Sequence, residues 1–195
     1  GRNGGKCGVN YPLQISNGNI LMPFLIWPWD EEKKEISRSN HMQAGVLIGT
    51  WQEDLSRIDW ELGEYIRPKT LEPGHRSLAE LTLAELNNDS ILGIMRGFSG
   101  TWPVKYYSVS KDGGWTWSDP APLLFDDGEL LFSPASIPRL IRSTRNGKLY
   151  WIGNILRDKE ELYPHDSSRP RNRLQIAEVD EDKPAIKRNT VAVID

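Results

Sequence analysis

Long apolar runs are absent from this 195-residue chain. The longest apolar segment, Ile20 to Trp29, holds two prolines and ends at Asp30. Nothing approaches the roughly 18 apolar residues of a membrane span. A basic excess is absent too: 24 Lys and Arg stand against 27 Asp and Glu, for a net charge of −3. Nucleic acids and anionic membrane surfaces call for a cationic partner, so neither is expected. The single cysteine, Cys7, cannot close an internal disulfide, and it leaves the cellular compartment open. Gly1 to Gly5 lack an apolar h-region, so no signal peptide is read; an extracellular or periplasmic site would need one on the full-length protein. His41, His75 and His165 show no metal-ligand spacing. A glycine-rich phosphate loop and a G-x-S-x-G elbow are both missing, so no metal or cofactor is expected.

What is present points to strands and turns. Eight tryptophans, 17 glycines and 13 prolines accompany 38% apolar residues, the composition of an all-β protein with many turns. Helical periodicity is nearly absent. Its best candidate, Ser77 to Leu86, also alternates as a strand, and the turn Asn87-Asn88-Asp89 and strand-like Ile91 to Met95 follow it. The pair reads as a hairpin. Tyr11 to Ile26 turns at Asn17-Gly18, and Pro138 to Ile152 turns at Asn146-Gly147. Asn-Gly between two β-rich runs predicts a type I′ turn with φ > 0 at both central residues.

Each hairpin is followed by a third strand (Ala44 to Trp51, Lys105 to Ser110, Arg173 to Val179) and a fourth (Asp59 to Tyr65, Thr116 to Leu124, Ala185 to Ile194). Three units of four strands result, at residues 9–66, 76–125 and 133–195. A repeat of about 60 residues with four antiparallel strands predicts β-propeller blades. The charged excursions Asp30 to Gln43 and Leu156 to Asn172 read as loops over that scaffold.

Between the third and fourth strands of the second unit stands Ser110-Lys111-Asp112-Gly113-Gly114-Trp115-Thr116-Trp117. The pattern S-x-D-x-G-x-T-W suits a tight turn: glycines for φ > 0, an aspartate to accept backbone N–H bonds, and a tryptophan to anchor it. It resembles the Asp box of the sialidase (BNR-repeat) β-propellers. In that family the box is structural, so Ser110, Asp112, Gly114, Thr116 and Trp117 are expected to be scaffold. Asp54-Leu55-Ser56 with Trp60, and Asp180-Glu181-Asp182, resemble decayed copies.

The second unit also sets Glu80 ahead of its hairpin and Arg96 after it, 16 residues on. This order is similar to the sialidase blade in which a glutamate enters the inner strand and an arginine closes the next. The resemblance implies an all-β, six-bladed propeller, of which about three blades are here, and an exo-glycosidase removing a terminal acidic sugar. It implies that Glu80 activates a tyrosine nucleophile and that Arg96 belongs to a triple-arginine clamp on the substrate carboxylate. Arg171 or Arg173 would be the third arginine; they share strand parity, and Arg171 is preferred slightly. Guanidinium groups bind carboxylates bidentately, and a phenol needs a base to become nucleophilic. Ser136 and Asn154 are further candidates to face the pocket, and His75 and Arg76 lie close to Glu80 in sequence.

The first clamp arginine, the acid/base aspartate and the nucleophilic tyrosine have no counterpart here; Tyr106, Tyr107 and Tyr163 fall in the wrong blades. Three blades do not close a ring, and about 360 residues would be needed at this repeat length. The chain is therefore expected to be one partial propeller domain over 1–195, inactive alone, with a sialoside or other glycan as partner. Other expectations are a propeller glycosidase or lyase acting on another sugar, or a non-catalytic carbohydrate- or protein-binding propeller.

Overall fold

The computed structural model describes residues 4–7, 10–36, 42–67, 75–99, 103–158, 161 and 168–194, with backbone alone for 4–7, 75–77, 98 and 99. Its strands form three antiparallel sheets in succession along the chain, which are β-propeller blades. In the first blade β1 (Gly4–Cys7) and β2 (Leu13–Gln14) pair with opposite ends of β3 (Ile20–Trp27), so the inner strand is interrupted. A small hairpin of β4 (Trp29–Asp30) and β5 (Glu35–Ile36) occupies the excursion before β6 (Gln43–Trp51) and β7 (Ile58–Leu62) complete the sheet.

The second blade runs in order through β8 (His75–Glu85), β9 (Ile91–Ser99), β10 (Lys105–Ser110) and β11 (Ala121–Pro122). Ser77 to Leu86 is thus strand rather than helix over all but its last residue. The third blade contains β12 (Arg139–Arg142), β13 (Leu149–Gly153) and β14 (Gln175–Asp180). Its predicted fourth strand is broken. β15 (Ala185–Ile186) pairs one end of β14, a 3-10 turn covers Arg188–Thr190, and β16 (Ala192–Val193) pairs the other end. No helix of the described residues is long and apolar enough to cross a membrane.

The hairpin turns form where the sequence predicts them but with another geometry. In the two Asn-Gly turns the glycines, Gly18 (φ 89°) and Gly147 (φ 72°), enter the left-handed region and the preceding asparagines do not. Gly18 N–H donates to Ile15 O at 2.9 Å, and Ile15 N–H to Asn19 O at 3.0 Å, which closes a three-residue loop around one left-handed residue. The asparagine side chains explain the choice. Asn17 Oδ1 accepts from Asn19 N–H at 3.0 Å and Asn146 Oδ1 from Lys148 N–H at 3.1 Å, bonds that hold each asparagine in a local Asx turn.

Period-2 alternation in β9 divides the core. Ile91 and Met95 join Leu21, Val46, Ile48, Leu81 and Leu83 between the first two blades. Leu92 and Ile94 join Leu123, Leu149, Trp151, Val179 and Ile186 between the second and third. Trp151 is fully buried, a side chain whose removal would cost about 3–5 kcal/mol. Polar ties reinforce both junctions. Ser16 N–H and Oγ–H donate to the Glu85 carboxylate. Arg142 donates to both oxygens of Glu181, at 3.0 and 2.7 Å, and to Glu85 O at 2.6 Å.

Candidate functional site

Glu80 sits where β8 breaks register. The pairing with β9 slips between Ala79 and Thr82, and Glu80 takes φ +55°. A left-handed glutamate costs of order 1 kcal/mol and persists only where its surroundings hold it. Asn10, from the break in the first blade's inner strand, supplies that hold: its amide donates to Glu80 O at 3.1 Å and to Leu81 O at 2.9 Å. The bulge turns the Glu80 side chain toward Arg96, whose Nη1 lies 3.0 Å from Oε1.

Arg96 stands opposite Ala79 on one side and Lys105 on the other, so Glu80, Arg96 and Lys105 lie at one level across three adjacent strands. Both partners of the ion pair are largely buried, with side-chain exposures of 13% for Glu80 and 16% for Arg96. Burial lowers the Arg96 pKa from its usual value, Glu80 opposes that shift, and the nearby positive charge of Arg171 adds to it.

Arg171, four residues ahead of β14 (Gln175–Asp180) in the third blade, reaches the same place. Its Nη2 donates to Ala135 O at 2.5 Å, and Arg96 Nη1 approaches that oxygen at 3.5 Å. One carbonyl thus joins two guanidinium groups from different blades. Arg173 does not share it; it lines a recess with Asn154, Ile155 and Glu161. Asn154 turns to the backbone, donating to Arg173 O at 2.5 Å.

Lys105 was not a candidate by sequence, yet it is fully buried at this level. Its Nζ donates to Pro134 O at 2.5 Å and lies 3.4 Å from Ser136 Oγ. Burial holds its pKa well below the usual lysine value, with Arg96 adding to the shift, Glu80 opposing it and Arg171 contributing further. Among the described residues, two guanidinium groups and a buried lysine amine therefore gather at this level, with Arg96 paired to the Glu80 carboxylate. The arrangement can bind an anion through paired guanidinium groups and offers Glu80 as a proton acceptor.

The Ser110–Trp117 turn lies at the opposite end of β10, about 17 Å from Lys105 at strand spacing. Asp112 accepts from Ser110 Oγ at 2.7 Å, Thr116 N–H at 2.9 Å and Thr116 Oγ1 at 2.5 Å. Ser110 Oγ accepts from Gly114 N–H at 2.8 Å, and Trp117 Nε1 donates to Gly114 O at 3.1 Å. Gly113 and Gly114 take φ of 75° and 98°. The segments at Asp54 and Asp180 share only the aspartate turn with the Ser110–Trp117 turn. Asp54 accepts from Ser56 N–H and Asp180 from Asp182 N–H, while Trp60 remains 41% exposed.

Tyr106 is buried, and burial raises its pKa, so it is poorly suited to nucleophilic attack. His41, Tyr163 and His165 lie outside the described residues, as do the side chains of His75 and Arg76.

No family model matches the chain, and no curated protein matches it. Solved structures do. A family 117 glycoside hydrolase from Zobellia galactanivorans superposes with a TM-score of 0.57 at 14% identity, covering 94% of this chain and 55% of that one. A thermostable family 43 glycoside hydrolase gives 0.52 at 11% identity, over 95% of this chain and 56% of that one. A Hadza microbial sialidase gives 0.51 at 12%, over 90% and 28%. The chain thus spans between roughly a quarter and a little over half of these three proteins. At such identities the likeness shows the fold alone: these blades have the β-propeller fold that glycoside hydrolases use.

Proposed function

We propose that these blades form part of a glycoside hydrolase acting on a terminal acidic sugar, with sialosides as the first substrate class to test. The observation that carries this reading is the convergence of Arg96 and Arg171 on Ala135 O beside the Glu80 carboxylate. Paired guanidinium groups match a carboxylate in charge and planar geometry. Glu80 is the general base, in the sialidase scheme for a tyrosine nucleophile, and Arg96 holds its carboxylate in place. The nucleophile and the acid are assigned to blades other than these three. The Ser110–Trp117 turn is read as an Asp box with a scaffold role.

A second reading, a propeller glycosidase for another sugar, draws on the likeness to family 43 and family 117 hydrolases. Hydrolysis of fluorogenic glycosides by the intact protein separates the two. Turnover of a sialoside, lost in Glu80→Gln, supports the first. Turnover confined to neutral glycosides replaces it with the second. A well-folded protein that cleaves neither belongs with the binding propellers.

A further inference from the structure

Lys105 fills no role in the chemistry proposed above. It is fully buried and has no contact with solvent. A buried lysine is costly, and an apolar side chain of similar volume would fill the same space without that cost. Its contacts show what the amine does. Nζ holds Pro134 O at 2.5 Å and approaches Ser136 Oγ at 3.4 Å. Between these two residues stands Ala135, whose carbonyl receives Arg171 at 2.5 Å and Arg96 at 3.5 Å. Among the described residues, Ser133 N–H also donates to Pro103 O, and Ser136 donates to Pro134 O through its N–H and through Oγ at 3.4 Å. Lys105 itself is locked in register with Arg96 across β9 and β10.

We propose that Lys105 is a positioning residue: it pins the Pro134–Ser136 segment of the third blade to the second, and so fixes the carbonyl that aims Arg96 and Arg171 at one anionic group. This rests on the reading of those arginines as a substrate clamp. Lys105 acts through the segment and not on the substrate.

The test is Lys105→Met in the intact protein, with the side-chain Nε–H resonances of Arg96 and Arg171 followed by NMR beside steady-state kinetics on a sialoside. The variant is expected to displace or broaden both guanidinium signals. KM should rise about tenfold or more with kcat changed less than about threefold, because the clamp binds ground and transition state alike. Unchanged guanidinium signals with unchanged KM would reduce Lys105 to core filling and overturn the proposal. Should Lys105→Met not fold, Lys105→Gln, polar but one bond too short to reach Pro134 O, is read by the same criteria. If the wild type cleaves no sialoside while Arg171 is displaced in the variant, the substrate reading falls and the Lys105 assignment stands.

Discussion

Two carboxylates of the second blade invite comparison. Asp112 takes its hydrogen bonds from Ser110 and Thr116, inside its own turn. Partial burial raises its pKa, but the bonds from Thr116 and Ser110 lower it further, and the net shift is downward. Glu80 looks outward from a left-handed bulge to a guanidinium of the next strand, with a second one arriving from the next blade. The first carboxylate is complete within eight residues; the second makes sense only with partners far away in the chain. A motif that satisfies itself is proposed here as scaffold, however conspicuous, and a charged group whose partners come from several elements is the better place to look for chemistry.

That contrast can be broken by substitution. Glu80→Gln should reduce turnover by roughly a hundredfold or more in steady-state kinetics, as loss of a general base does. Arg96→Lys should weaken binding of an acidic sugar about tenfold, measured by calorimetry, because an ammonium cannot make the bidentate fork. Asp112→Ala should do the reverse of Glu80→Gln. It should lower stability by about 1–3 kcal/mol in urea unfolding, by stranding the Thr116 and Ser110 donors, and leave kcat/KM per folded molecule unchanged. Gly63→Ala belongs with it, since a Cβ there would meet Gly114 O at 2.5 Å and pry the turn from the first blade. The smallest effect is in pH. The folded-state pKa of Asp112 lies below 3.8, so its stability contribution is full above that value. The gap between wild type and Asp112→Ala should close as pH falls through the folded-state value, read from melting curves.

The hairpins and inner strands were legible because alternation and turn residues are local signals. β10 runs from Lys105 to Ser110 as predicted. Outer strands were less so: the fourth strand of the third blade breaks around Arg188–Thr190, since an edge strand carries fewer pairing constraints. The turn type was misread because an asparagine side chain can satisfy the backbone without a second positive φ. Arg171 and Arg173 could not be separated, because parity is the same for both and the Ala135 carbonyl that divides them is remote in sequence. Lys105 gave no signal at all: a lysine opening a strand ordinarily reads as exposed. Asn10 went unseen for a like reason, its amide serving β8 some 70 residues away.

The shared Ala135 carbonyl carries a thermodynamic corollary. Arg96 belongs to the second blade and Arg171 to the third, so an anion gripped by both can bind only while the two blades are docked. Ligand occupancy and blade docking are then linked equilibria. Ligand at a hundred times its Kd would add about 2.7 kcal/mol against separation of the blades. The proposed recognition site would in this sense also be a seam of the domain, and a bound acidic sugar would report its presence as slower proteolysis along the 133–136 segment.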